Sequence, residues 1–219
     1  MSESPVLSRP VKPPTRSALP TAAGFSLIEL LVVMVIIGAL TMAGLSLMGN
    51  TAANAQRTGT DQVVAAIEQA RTAAITRRKP VILAIAEPQA GDVDENCRFG
   101  LFEVDALPDE GSDLEARQLQ RWSTLPTGVV FLDGRIRDFD NLLEQDKVQL
   151  SWKDGQNSAS VHALVFNTRG GLAWPSGSDP VAVKVGNGNY RDGKAMPIKG
   201  GGASSLRIGR VVARPWRLD

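Results

Sequence analysis

From Leu30 to Gln56 no residue carries a charge, and residues 30–48 read LLVVMVIIGALTMAGLSLM. Nineteen such residues form a helix about 28 Å long, enough to cross the hydrocarbon of a bilayer. Glu29 stands immediately before this run, where a carboxylate costs on the order of a few kcal/mol in lipid unless it is paired. The pattern then changes character. Within residues 61–78, Val63, Ile67, Ala70, Ala74 and Ile75 recur at three- and four-residue spacing. Asp61, Glu68, Arg71, Arg77 and Arg78 take the other positions, which predicts an amphipathic helix with one face to bury. No proline interrupts residues 25–79, although Gly38, Gly44 and Gly49 weaken the helix locally.

After Pro80 the pattern becomes that of strands. Residues 81–86, 99–104, 129–132, 148–152, 163–166, 181–185 and 206–212 are short and rich in β-branched or aromatic side chains, with Gly, Pro, Asn and Asp between them. Helical period is absent here, apart from a short turn near residues 112–118. Such spacing predicts antiparallel sheets rather than βαβ units. Five prolines in residues 1–24 leave no stable element there.

Charge orients the chain. Residues before Arg57 hold three bases (Arg9, Lys12, Arg16) and two acids (Glu3, Glu29) of the chain's 24 and 23, leaving 21 of each beyond. These N-terminal bases place the N-terminus in the cytoplasm and the C-terminal part outside. A neutral outer domain gives no general reason to expect nucleic acid as a partner. Residues 87–115 nonetheless contain ten acids against Arg98 alone. Asp92, Asp94 and Glu95 in this segment could ligate calcium, but the favoured reading is solvated loops. Lys199, Arg207, Arg210, Arg214 and Arg217 gather at the other end, with Trp216 among them. Such a tail can hold DNA through phosphates and stacking, or simply face outward from a terminal strand, as Arg207 and Arg210 would, and pair with acids.

Candidate chemistry is thin. His162 is the only histidine and Cys97 the only cysteine, so no intramolecular disulfide forms and a zinc site lacks ligands. His162 reads as a surface or strand-edge residue without a nucleophile turn nearby, and Cys97 as buried and inert. Residues 200–205 are Gly-rich but precede neither a lysine nor a helix, so they read as a flexible loop. No catalytic residue, metal or cofactor is expected.

The junction Gly24-Phe25-Ser26-Leu27-Ile28-Glu29-Leu30-Leu31 resembles the class III signal of type IV pilins and type II secretion pseudopilins. That resemblance implies cleavage by a prepilin peptidase between Gly24 and Phe25 and methylation of the Phe25 amine. It gives Glu29 an assembly role, pairing with the Phe25 ammonium of an adjacent subunit. The fold it implies is α+β and pilin-like: a long N-terminal helix, transmembrane and then amphipathic, packed on a small antiparallel β-sheet domain. Residues 1–24 would be the leader, 25–48 the transmembrane half, 49–78 the amphipathic half and 79–219 a periplasmic β domain. Arg78-Lys79-Pro80-Val81-Ile82-Leu83, Phe166-Asn167-Thr168-Arg169-Gly170-Gly171 and Ile208-Gly209-Arg210-Val211 are similar to segments of the H-type minor pseudopilins and FimT-like minor pilins. The missing disulfide sets the chain apart from major pilins that close a C-terminal loop with one.

The expectation is a non-enzymatic, single-pass inner-membrane subunit of the type II secretion pseudopilus. Its partners would be prepilin peptidase, other pseudopilins and the inner-membrane assembly platform. A FimT-like minor pilin for pilus priming or DNA uptake and a membrane-anchored enzyme stay open. So does an uncleaved signal anchor with Glu29 reaching the interface, or an Ala-x-Ala cut after Met48.

Overall fold

The computed structural model describes residues 26–48, 51–88, 97–107, 113–136, 139–153 and 155–218. It divides into two compact units, Met1–Leu45 and Ser46–Asp219. Most of helix α1 (Leu27–Met48) belongs to the first. Helix α2 (Thr51–Arg77) opens the second. It ends where Arg78 turns left-handed, at φ 55°, two residues before Pro80. Val63, Ala66, Ile67, Ala70 and Ala74 are buried along one face, as the spacing predicts. Ile75 is not part of that face. It follows Ala74 by one position, 100° further round the helix, and is 42% exposed.

Strands β1 (Val81–Ala86), β2 (Arg98–Val104), β3 (Asp113–Gln118), β4 (Ser123–Thr124), β5 (Val129–Leu132), β6 (Asp140–Asn141) and β7 (Val148–Trp152) come next. Strands β8 (Asn157–Phe166), β9 (Leu172–Trp174), β10 (Val181–Arg191), β11 (Lys194–Pro197), β12 (Ala203–Ile208) and β13 (Pro215–Leu218) complete the described chain. The helix-plus-sheet content is α+β, but the sheets are neither single nor wholly antiparallel.

The first sheet closes on itself. β1 pairs with β2, β2 with β3, β3 with β7, β7 with β8, and β8 returns to β1. Directions cannot alternate around a ring of five strands, so one neighbouring pair has to be parallel. That pair is β3 with β7, Asp113 lying opposite Gln149 and Ala116 opposite Trp152. The purely antiparallel expectation fails here for this geometric reason. The helical turn expected near residues 112–118 is instead β3, whose alternate residues Leu114 and Ala116 are buried.

Ile82 and Ala84 of β1, Phe102, Leu114, Leu150, Val161, Ala163 and Trp152 form one apolar cluster, from the alternate positions that face into the ring. The opposite alternates, Leu83, Ile85, Leu164 and Phe166, join Ile67 and Ala70 of α2 and residues of the second sheet in another cluster. All six residues of β1 are therefore buried, with no polar alternation.

The second sheet is organised around β10. β12, β5 and β11 pair with it antiparallel, β6 pairs with it parallel, and β13 adds to β12. β8 and β10 extend well beyond the stretches their apolar residues mark. β12 stops at Ile208, short of the expected Val212, because residues 209–213 turn back on the loop after β8. There the Leu172 N–H donates to the Arg210 carbonyl at 2.8 Å, and the Ala213 N–H donates to that of Gly170 at 3.3 Å. Gly171 lies so close that a Cβ would come within 3.0 Å of the Arg210 carbonyl oxygen. Asn167 shapes this loop by accepting from the N–H groups of Arg169 at 2.9 Å and Gly171 at 3.0 Å. Val81 pairs with Phe166 at the same place, so the three segments with family resemblance meet in space.

Candidate processing and assembly segment

Gly24 and Phe25 lie outside the described residues, and Ser26 opens the described helix. Its Oγ accepts the Glu29 N–H at 3.3 Å, and its carbonyl accepts those of Glu29 at 3.0 Å and Leu30 at 3.2 Å. A serine followed three positions later by glutamate is the spacing of a capping box. Glu29 thus sits in the first turn of α1, where a carboxylate complements the positive end of the helix dipole. The described side chains of α1, Ser26 to Thr41, are all exposed, including Leu27 at 85% and Ile37 at 54%. Thr41 spends its hydroxyl inside the helix, donating to the Ile37 carbonyl at 2.7 Å. Among the described residues no helix is long and apolar enough to cross a membrane.

Elsewhere the polar groups are engaged with one another. His162 is 3% exposed in the middle of β8, not at a surface or edge. Asn157, Ser158 and Ser160 of β8 are polar, yet residues 157–160 pair with β7 and carry the strand past His162. Its Nε2 lies 3.3 Å from Glu87 Oε2, which also takes Lys147 Nζ at 3.2 Å. Burial pushes the Glu87 carboxyl up, but the hydrogen bonds and charges of His162 and Lys147 outweigh it and hold the group below its ordinary range. Cys97 is fully buried, its Sγ 3.3 Å from the Ala86 carbonyl, and burial pushes its thiol far above the ordinary range, so it stays protonated. The same burial raises the neighbouring Tyr190.

A groove of about 800 Å³ runs past Lys79, Glu103, Asp105 and Glu115. Within it Lys79 reaches Asp105 at 2.7 Å and Glu103 at 3.6 Å, and Arg77 reaches Glu103 at 3.3 Å. Asp92, Asp94 and Glu95 lie outside the described residues, and among those described no acid, histidine and cysteine cluster is arranged to hold a metal.

The tail arginines keep part of the expected outward row: Arg207 is exposed between buried Leu206 and Ile208, and Arg217 meets an acid. The Arg207 guanidinium lies 5.3 Å over the Phe139 ring. Arg210, beyond the strand, donates through Nε to the Asp179 carbonyl at 2.6 Å and through Nη1 to the Pro175 carbonyl. Arg217 pairs with Asp61 of α2, and Arg214 is exposed.

Residues 20–45 match the prokaryotic N-terminal methylation motif. No curated protein and no solved structure matches the chain. The matched stretch contains Gly24, Phe25 and Glu29 and covers Ser26 and most of α1. It makes the N-terminal segment pilin-like, with the prepilin-peptidase processing and pilus-like assembly that such a signal implies.

Proposed function

We propose that this chain is a minor pseudopilin, a non-enzymatic structural subunit of the type II secretion pseudopilus that supports protein export across the outer membrane. The observation that carries this reading is the methylation-motif match over residues 20–45, laid on a serine-capped apolar helix with every described side chain exposed. Prepilin peptidase cuts between Gly24 and Phe25 and the Phe25 amine is methylated. The helix then holds the subunit in the inner membrane, N-terminus cytoplasmic and residues 79–219 periplasmic. On assembly, apolar helices pack side by side, and Glu29 receives the Phe25 ammonium of a neighbour. In that dry environment a lone carboxylate is costly, so the pair favours one axial offset between subunits. The convergence of the three segments that resemble H-type and FimT-like heads supports the minor-pseudopilin assignment. Engagement of Arg207, Arg210 and Arg217 within the head favours secretion over DNA uptake.

Mass spectrometry of the membrane-extracted protein tests the reading. The expected N-terminus is Phe25 carrying one methyl group. An intact Met1 start, or a cut beyond Met48, sinks the proposal.

A further inference from the structure

Pairing of β4 with β2 sets Ser123 opposite Phe99 and Thr124 opposite Arg98, which brings the preceding Trp122 across from Gly100. A Cβ on Gly100 would lie 3.2 Å from Trp122 Cε3 and 3.2 Å from Phe102 Cε2, so the glycine provides the space the indole fills. Trp122 is tilted on Phe102 with ring centroids 5.3 Å apart, and edge-on to Trp152 at 5.9 Å. Phe102 and Trp152 belong to the core inside the ring, whereas Trp122 keeps part of its surface open. The outcome is an aromatic shelf fixed at the mouth of the five-stranded ring, so a ligand stacking there would lose little to side-chain ordering.

A groove of about 610 Å³ lies over this shelf. Gln118, Gln156 and Asn157 line it, Arg98 and Lys153 stand exposed beside them, and no carboxylate is among the described lining residues. Closure of the core explains Phe102 and Trp152, but it does not explain an open indole surrounded by amides and cations. Small-ligand sites combine an aromatic surface with a few polar groups, and the mouths of barrels are among their usual places. A pyranose ring offers a flat C–H face to an indole, and hydroxyls that both donate and accept, as amides do. Arginine adds forked recognition of a carboxylate. A single-stranded nucleic acid also stacks on aromatics, but it is tracked by a positive groove along its backbone. Two cations among amides fit it less well.

We propose that the mouth of this ring binds an oligosaccharide bearing carboxylates, with Trp122 as the stacking surface and Arg98 as the carboxylate anchor. This site is separate from the assembly role of α1 and stands or falls without it.

The test uses the full chain in a zwitterionic detergent, since sugar-headed detergents would compete. Tetragalacturonate, cellotetraose and hexathymidylate are titrated by calorimetry while tryptophan emission is followed. The acidic sugar should bind and shift the emission, with affinity at least tenfold above cellotetraose. Arg98→Ala should weaken it tenfold or more and Gln156→Ala severalfold, with unchanged thermal midpoints because both side chains are exposed. Trp122→Phe should abolish the emission shift. Absence of binding, equal affinity for the neutral sugar, preference for the oligonucleotide, or indifference to Arg98→Ala would each overturn the proposal.

Discussion

Ile36 and Ile67 are the same residue on two helices of one chain, yet Ile36 is 52% exposed and Ile67 0%. Around Ile67 the sheets supply a partner surface: Leu83, Leu164 and Phe166 from one and Val183 and Leu206 from the other. The described side chains of α1 remain exposed, with apolar residues all round the helix rather than on one stripe. A helix that is hydrophobic on every side is suited to lipid or to like helices, and one with a single apolar face to a head of its own. The two helices are therefore selected for different surroundings, and substitutions in them should report on different events.

The largest contrast concerns Glu29. On the proposed assembly, Glu29→Ala would leave a neighbour's amine buried without its partner, a loss on the order of 3–5 kcal/mol. Crosslinking to sister subunits should fall by at least a hundredfold, while membrane residence and the unfolding midpoint of the head stay as they were. Unchanged crosslinking would show that Glu29 does not set the offset between subunits.

A matched pair of isoleucines isolates the next effect. Ile67→Ala should cost the head about 2–5 kcal/mol, because α2 cannot collapse fully onto two sheets to fill the gap. Ile36→Ala, at a position already 52% exposed, should change it by about 0.5 kcal/mol at most. Denaturant unfolding of the full chain, followed by tryptophan emission, measures both. Similar losses would mean that α1 is part of the head's cooperative unit.

Acid sharpens the picture within the head. The folded-state carboxyl of Glu87 lies below its ordinary value of 4.5, so its stabilisation is complete above that pH and is lost as the pH falls through the folded value. In His162→Asn, one opposing partner is gone while burial still pushes the carboxyl up. The variant should then be less stable near neutral pH and lose less on acidification than the parent, because its folded carboxyl titrates closer to the unfolded one. Unfolding midpoints from pH 7 down to pH 3 decide the matter, and superimposable acid limbs would deny His162 this role.

Much of this architecture could be read from the residues. The helical period between Val63 and Ala74 is strong, and β1, β5 and β7 carry unbroken or alternating apolar residues with turn residues on either side. Ring closure was not legible, because it depends on which strands meet, and β3 contributes only Leu114 and Ala116 to the lumen. β4, β6, β9, β11 and β13 are two to four residues long, too short for a period to register. The junction around Gly24 carried the candidate site because its signal is local. Glu87 and His162 are 75 positions apart, and only the fold brings them together. Trp122 had one available clue, a glycine at position 100 between the apolar Phe99 and Leu101 of a strand, the kind of position where another group approaches closely.

The smallest expected effect is on DNA. Counterion release lowers duplex affinity by about 0.9 log units per neutralised phosphate for each decade of salt. Arg207, Arg210, Arg214 and Arg217 together could give a slope near four at most. The structure reduces that ceiling. Arg207 is laid over Phe139, Arg210 is committed to the carbonyls of Pro175 and Asp179, and Arg217 pairs with Asp61. Burial even draws the Arg210 pKa below its ordinary value. A phosphate would have to displace these contacts, and the head beyond the apolar run offers as many acids as bases. Titration of the full chain with duplex and single-stranded DNA across a salt series should therefore show weak binding or none at physiological salt. Micromolar affinity with a slope near four, abolished when these arginines become alanine, would move the chain from secretion to DNA uptake.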